Sequence, residues 1–336
     1  MPKNVRRSQR SRLATTTVKP THSSTLSTRW KAYAFMAVST LCWSAAFIAV
    51  KPSYEITSPY RFLFYRFVLA SLLSLPFLIH YWPKIKYPFK ALLRITCVEL
   101  IGTTLALALL YVGLARTSVI EATLLTATSP IFVVVGGVLL LKEKQERHEW
   151  IGSTIALGGT LLMALYPFIF GLDRIGHVSL IGNVILIACN IANMFYFPLA
   201  KKHYTHLPKL FVASWSFIVG AVSFGLLSLV EAGSLSRWQT LAFIDLHSPS
   251  VWIAFGYMAT FGSIIGLTAY IKGQDLIEAS EASIFTYLGL PVTLLLAHFF
   301  LAESLTIHQV AILGLIGLGV LVAEKRFPHQ RHHRPK

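Results

Sequence analysis

Residues 118–144 read SVIEATLLTATSPIFVVVGGVLLLKEK. Ser118-x-x-Glu121 has the spacing of a capping box, which satisfies the first free N–H groups of a helix. About 20 mostly apolar residues follow, enough at ~1.5 Å per residue to cross a ~30 Å hydrocarbon layer. Pro130 stands in mid-run, where proline removes one backbone hydrogen bond and frees the carbonyl of Thr126. Lys142-Glu143-Lys144 ends the run. The design returns at residues 278–303, EASEASIFTYLGLPVTLLLAHFFLAE, with Pro291 again in mid-span. Two interrupted hydrophobic segments in corresponding places of two halves point to a transporter built from repeats.

The rest of the chain fits that setting. Hydrophobic residues make up 54% of the 336 and charged residues only 13%, against roughly 25% charged in soluble domains. The composition predicts an all-α polytopic membrane protein. A net charge of +16 raises the question of a nucleic-acid partner. Residues 1–31 carry +8 and residues 325–336 carry +5, leaving +3 for the body. The basicity belongs to two tails that suit anionic lipid, and no nucleic acid is expected. Cys42, Cys97 and Cys189 all lie in apolar runs and read as small core residues.

Ten spans are expected, at roughly 30–50, 60–81, 91–115, 118–141, 149–170, 178–200, 210–230, 250–271, 278–301 and 306–324. Residues 1–29 read as a disordered basic tail, with an organellar transit peptide as the alternative, and residues 326–336 as a second basic tail. The run from Trp30 to Val50 is too long for a signal peptide and is expected to stay as the first span. With the N-terminus cytoplasmic, 24 of the 30 Lys and Arg fall inside and 6 outside or near the outer face. That asymmetry predicts both termini in the cytoplasm, at the plasma (bacterial inner) membrane.

The halves, 30–171 and 178–325, compare directly. Trp43–Lys51 (WSAAFIAVK) matches Asn193–Lys201 (NMFYFPLAK) in spacing, the stretch from Thr103 to Tyr111 echoes that from Ser263 to Tyr270, and Glu143 echoes Glu303. Five spans per half is an odd number, so the second half must lie inverted, with a substrate site near the midplane between the halves.

Cys42-Trp43-Ser44 with Lys51, Ser129-Pro130-Ile131-Phe132 leading to Leu141-Lys142-Glu143, and Ile151-Gly152 through Gly158-Gly159 carry a resemblance in the first half. Leu290-Pro291-Val292, Ala302-Glu303 and Gly314 through Gly319-Val320 carry it in the second. By their order, spacing and duplication the chain resembles the EamA-like branch of the drug/metabolite transporter superfamily, over roughly residues 30–325. The resemblance implies ten helices as two inverted five-helix repeats, alternating access, and efflux or uptake of amino acids and other small metabolites. Asn193 in place of a second tryptophan, and Lys142 before the first repeat's glutamate, depart from the family pattern.

Candidate site residues follow. Asn190 and Asn193 lie one turn apart and should face inward, either on substrate or in an interhelical hydrogen bond. Glu99 is the one acid well inside a span. It is either a proton-coupling carboxylate or the partner of Arg94 or Lys90 at the cytoplasmic rim. Glu121, Glu278 and Glu281 read as helix caps. Trp43, Tyr111, Tyr196, Tyr257, Tyr270 and Tyr287 could line a cavity for flat or cationic solutes, or simply pack. Ser44, Thr126, Pro130 and Pro291 complete the proposed lining. Lys51 and Arg66 are expected to snorkel. Gly152-x-x-x-Ala156 and Gly319-x-x-x-Ala323 predict contact between the fifth and tenth spans.

Together these features predict a secondary-active transporter, and the resemblance implies that it moves an amino acid or similar small metabolite, with export the expected direction. No cofactor or metal is expected, and a monomer suffices. A lipid-flipping protein of the same fold and an intramembrane lipid-modifying enzyme are the alternatives. No Walker loop, nucleophile elbow or HExxH supports ATPase or protease chemistry.

Overall fold

The computed structural model describes residues 26–85, 88–142, 147–169, 180–277 and 279–324, and every regular element among them is a helix. We number them α1 (Arg29–Glu55), α2 (Pro59–Lys84), α3 (Pro88–Arg116), α4 (Val119–Leu141), α5 (Arg147–Ile169) and α6 (Leu180–Tyr204). Then come α7 (Lys209–Ala232), α8 (Leu235–Leu246), α9 (Pro249–Gln274), α10 (Ala279–Leu301) and α11 (Ile307–Glu324). The tail readings, Glu143 and Glu278, and the side chains of Glu281, Tyr287 and Ala323 lie outside the described residues.

Seven helices among the described residues, α1–α4, α6, α7 and α9, are long and apolar enough to cross a membrane. The apolar parts of α5, α10 and α11 are shorter, at 10–17 residues. As whole helices α5 and α10 have 23 residues each and α11 has 18, about 35 Å and 27 Å at ~1.5 Å per residue. Ten spans were expected, and seven of them are matched by helices of crossing length and apolarity among the described residues. The chain is an integral membrane protein.

Helix α8 was not foreseen, because its residues fall between the spans expected at 210–230 and 250–271. Gly233, at φ +78°, ends α7, and the Ser234 side chain accepts from Arg237 N–H at 3.2 Å to start α8. Its Asp245 is buried, and Oδ2 accepts from Thr57 Oγ1 at 2.8 Å, Arg61 Nε at 2.6 Å and Tyr65 Oη at 2.9 Å. That ion pair pins α8 to the head of α2, while Leu235 and Phe243 remain exposed, as on a helix lying in an interface.

Aromatic and small residues set the helix pairs. Between α2 and α7 the rings of Phe67 and Phe224 stack at 5.7 Å. The expected contact between the fifth and tenth spans is present as α5 against α11. A Cβ on Gly319 would lie 2.5 Å from Ala156 N and 2.7 Å from Gly152 O, so only glycine permits that approach. A Cβ on Gly136 of α4 would lie 1.8 Å from Met194 O of α6.

The two proline helices differ. Helix α4 is broken into Val119–Thr126 and Ser129–Leu141, with Ala127 and Thr128 between. Pro130 falls in the first turn of the second piece, where its missing N–H costs nothing. Helix α10 instead runs unbroken through Pro291. The expectation of two broken helices is therefore corrected to one break and one continuous helix. Other features do recur in both halves. Helix α3 widens into a π-helical segment over Leu100–Ala106 and α9 over Met258–Ile265. Lys142 and Ala302, the residues just beyond α4 and α10, both take left-handed φ, 56° and 54°.

Candidate functional site

A cavity of about 250 Å³ lies where α1, α4, α9 and α10 meet. From α1 come Met36, Ser39, Thr40, Trp43, Ser44 and Phe47, and from α4 Thr123, Thr126 and Ala127. Tyr270 of α9 and Phe285, Gly289, Leu290 and Thr293 of α10 complete it. The helix break supplies one wall, since Thr126 and Ala127 stand at it. Of the predicted residues, Trp43, Ser44, Thr126 and Tyr270 are brought together here.

Aromatic faces dominate one side. The rings of Trp43 and Tyr270 lie 5.0 Å apart at 52°, and Trp43 Nε1 donates to Gly262 O at 3.0 Å. The lining hydroxyls mostly donate to backbone. Thr40 Oγ1 donates to Phe285 O at 3.1 Å, Ser44 Oγ to Gly289 O at 3.1 Å and Thr126 Oγ1 to Ala122 O at 2.7 Å. With their protons so used, these oxygens offer lone pairs to a guest. Ser39 Oγ is buried with no partner and keeps a donor available. No lining residue is charged. A flat, largely apolar solute body with a few donors suits this surface.

The other predicted residues fall elsewhere. Asn190 is fully buried, and its Nδ2 donates to Leu125 O at 2.9 Å and Thr128 Oγ1 at 3.2 Å. It braces the break in α4 rather than reaching the cavity, and the carbonyl it serves is that of Leu125, not Thr126. Asn193 points its Nδ2 at Cys189 Sγ, 3.7 Å away. Pro130 and Pro291 are exposed and stand outside the lining. Tyr287 falls among the side chains outside the described residues.

Glu99 is 1% exposed, and its carboxylate accepts from Thr103 Oγ1, from Tyr196 Oη at 3.0 Å and from Tyr204 Oη at 2.8 Å. The alternative of an ion pair with Arg94 or Lys90 is not realised, because α6 covers Glu99 with two tyrosines. Tyr196 thus belongs to this carboxylate and not to the cavity.

Lys51 and Arg66 do not snorkel. Lys51 Nζ donates to Leu114 O at 2.7 Å and Thr117 O at 2.5 Å, closing the end of α3. Glu303 does the converse for α4, accepting from Val119 N–H at 2.9 Å and Ile120 N–H at 2.8 Å. Ser118 Oγ accepts from Glu121 N–H at 3.1 Å, but Glu121 does not complete a capping box; its Oε2 accepts from Thr117 Oγ1 at 2.6 Å instead. Arg66 turns inward to Tyr111 Oη, 2.9 Å away.

Sequence reasoning missed Ser39, Thr40, Thr123 and Thr293 in the lining and Glu303 as a cap. A signal for the first four was present, since small hydroxyl residues gather within a turn or two of Trp43 and of each proline. Glu303 carried none, because its partners are 183–184 residues away in the chain.

The sequence model of the EamA-like transporter family matches residues 30–165 and again 180–324. An uncharacterized transporter of Archaeoglobus fulgidus is 24% identical over 297 residues, 88% of this chain and 99% of its own. The uncharacterized transporter YcxC of Bacillus subtilis is 23% identical, covering 83% of this chain and 90% of its own. The uncharacterized inner membrane transporter YedA of Escherichia coli is 25% identical, covering 84% and 87%. With two family matches accounting for most of its length, the chain belongs to the EamA-like transporter family.

Proposed function

We propose that this membrane transporter is secondary-active and exports a small metabolite, an amino acid or similar compound, by alternating access. In this reading ten spans form two inverted five-helix repeats, 30–171 and 178–325. Both termini lie in the cytoplasm at a bacterial inner membrane, and substrate occupies the cavity between α1, α4, α9 and α10. The observation that carries it is the lining itself, contributed by both halves at a helix break. The π-helical segments at 100–106 and 258–265 and the left-handed residues Lys142 and Ala302 support an internal repeat. Glu99, buried among hydroxyls with no basic partner among the described residues, is the proposed proton-coupling group.

Single cysteines at Ser44, Thr126 and Leu290 in a cysteine-free background, labelled with a water-soluble thiol reagent in inverted and in right-side-out vesicles, test the cavity. All three are expected to react, with reactivity lowered by a transported solute. A metabolite screen in proteoliposomes, with and without a pH gradient, supplies that solute. Reagent that reaches none of the three positions from either side removes the cavity from the mechanism. A reporter fused after Lys336 is expected in the cytoplasm, and an external C-terminus contradicts the inverted repeat.

A further inference from the structure

Arg66 is a cation in the middle of an apolar helix, with no acid among the described residues paired to it. Phe62 and Ala70, one turn to either side of it on α2, are both fully buried. That stripe therefore faces the bundle and not lipid. Arg66 Nη1 donates to Tyr111 Oη at 2.9 Å and Nη2 reaches Ser263 Oγ at 3.4 Å. The guanidinium also lies over the rings of Phe67 and Tyr111, at 5.0 Å and 5.7 Å from their centres. Hydroxyls and ring faces solvate a cation without cancelling its charge. The other arginine of α2, Arg61, by contrast has acids against it, Asp245 at 2.6 Å and Glu231 at 3.8 Å. No carboxylate among the described residues pairs with Arg66.

Two donors at this place also lack acceptors. Arg66 Nε and Tyr54 Oη are buried without a partner. They border one aromatic cluster, since the Tyr54 ring meets Phe62 at 6.1 Å and Phe62 meets Tyr111 at 5.4 Å. Buried polar groups are seldom left unmatched, and an intramembrane cation is retained where a counter-charge arrives. Arg66 is linked to the cavity wall through two consecutive residues of α9. Trp43 lines the cavity and donates to Gly262 O, and the next residue, Ser263, is the one Arg66 reaches. Both belong to the π-helical segment of α9, a type of irregularity that often marks functional sites.

We propose that Arg66 binds the carboxylate of the transported solute, whose apolar or aromatic body lies against Trp43 and Tyr270. A carboxylate has two oxygens for the guanidinium fork and one charge for its one positive charge. A phosphate dianion would keep a charge unmatched. This assignment rests on the transporter reading and names the substrate class of the same site: small organic carboxylates, zwitterions included.

The test compares acetate, phenylpropanoate and phenylalanine, each paired with its primary amide, by ligand-induced thermal stabilisation of the full chain in detergent. At least one acid is expected to bind wild type tenfold or more tightly than its amide. Arg66→Gln is expected to abolish that preference and Arg66→Lys to keep part of it. The wild-type acid-to-amide ratio decides by itself should Arg66→Gln not fold. Ratios near one for every pair in wild type, no binding of any acid, or a preference that survives in folded Arg66→Gln each overturn the assignment. Movement of a neutral solute by wild type and Arg66→Gln alike leaves the transporter reading standing and removes only this one. Wild-type liposomes that move no solute at all remove the transporter reading itself.

Discussion

Substituting Glu303 by alanine takes the acceptor from two backbone N–H groups at the start of α4, those of Val119 at 2.9 Å and Ile120 at 2.8 Å. Ser118 Oγ continues to serve Glu121 N–H at 3.1 Å, so two of the first three amides are stranded and one is not. A hydrogen bond to a charged acceptor contributes about 1.5–3 kcal/mol, and water recovers part of that because Glu303 is half-buried. Both bonds together therefore stabilise by about 2–4 kcal/mol, including the attraction of the carboxylate to the helix N-terminus. At about 2 °C per kcal/mol for a chain of this size, the melting midpoint in detergent should fall by about 4–8 °C. Glu303→Gln retains one acceptor oxygen and should lose about half as much, while Ser118→Ala should cost about 1 kcal/mol. Scanning fluorimetry of the four proteins side by side reads all of this. A Glu303→Ala protein that melts with wild type while Ser118→Ala melts lower refutes the capping argument, for then solvent replaces the carboxylate without loss.

Three further outcomes follow from named contacts. Gly136→Ala should cost about 1–3 kcal/mol or prevent folding, since its Cβ would lie 1.8 Å from Met194 O, whereas Gly158→Ala, with nothing within 4 Å, should melt like wild type. Asp245→Asn breaks a buried ion pair with Arg61 and should cost about 3–5 kcal/mol, read as a lower midpoint and faster proteolysis at α8. Glu99→Gln should change the pH profile of transport while Thr103→Val shifts it less, because the carboxylate keeps both tyrosine hydroxyls in the second variant; identical profiles in Glu99→Gln and wild type remove Glu99 from coupling.

Membrane insertion was legible from the chain alone because it depends on summed apolar length, and runs such as 118–141 state that length without tertiary help. The duplicated family pattern was legible for a similar reason, as spacing is a one-dimensional property. Helix contact at Gly319 and Gly152 followed from residue size. The site was only partly legible. Trp43, Ser44, Thr126 and Tyr270 were singled out and converge on one cavity, yet Asn190 and Tyr196 were singled out with them and serve a helix break and a carboxylate. A polar side chain in an apolar helix announces only that it needs a partner. Which partner it meets depends on the rotation and approach of a second helix. Glu303 capping α4, Lys51 closing α3, and Arg66 turned away from lipid are decisions of that kind. So is the fate of the two prolines, because whether a helix breaks at proline depends on whether neighbours such as Asn190 and Thr128 can hold the carbonyls so released.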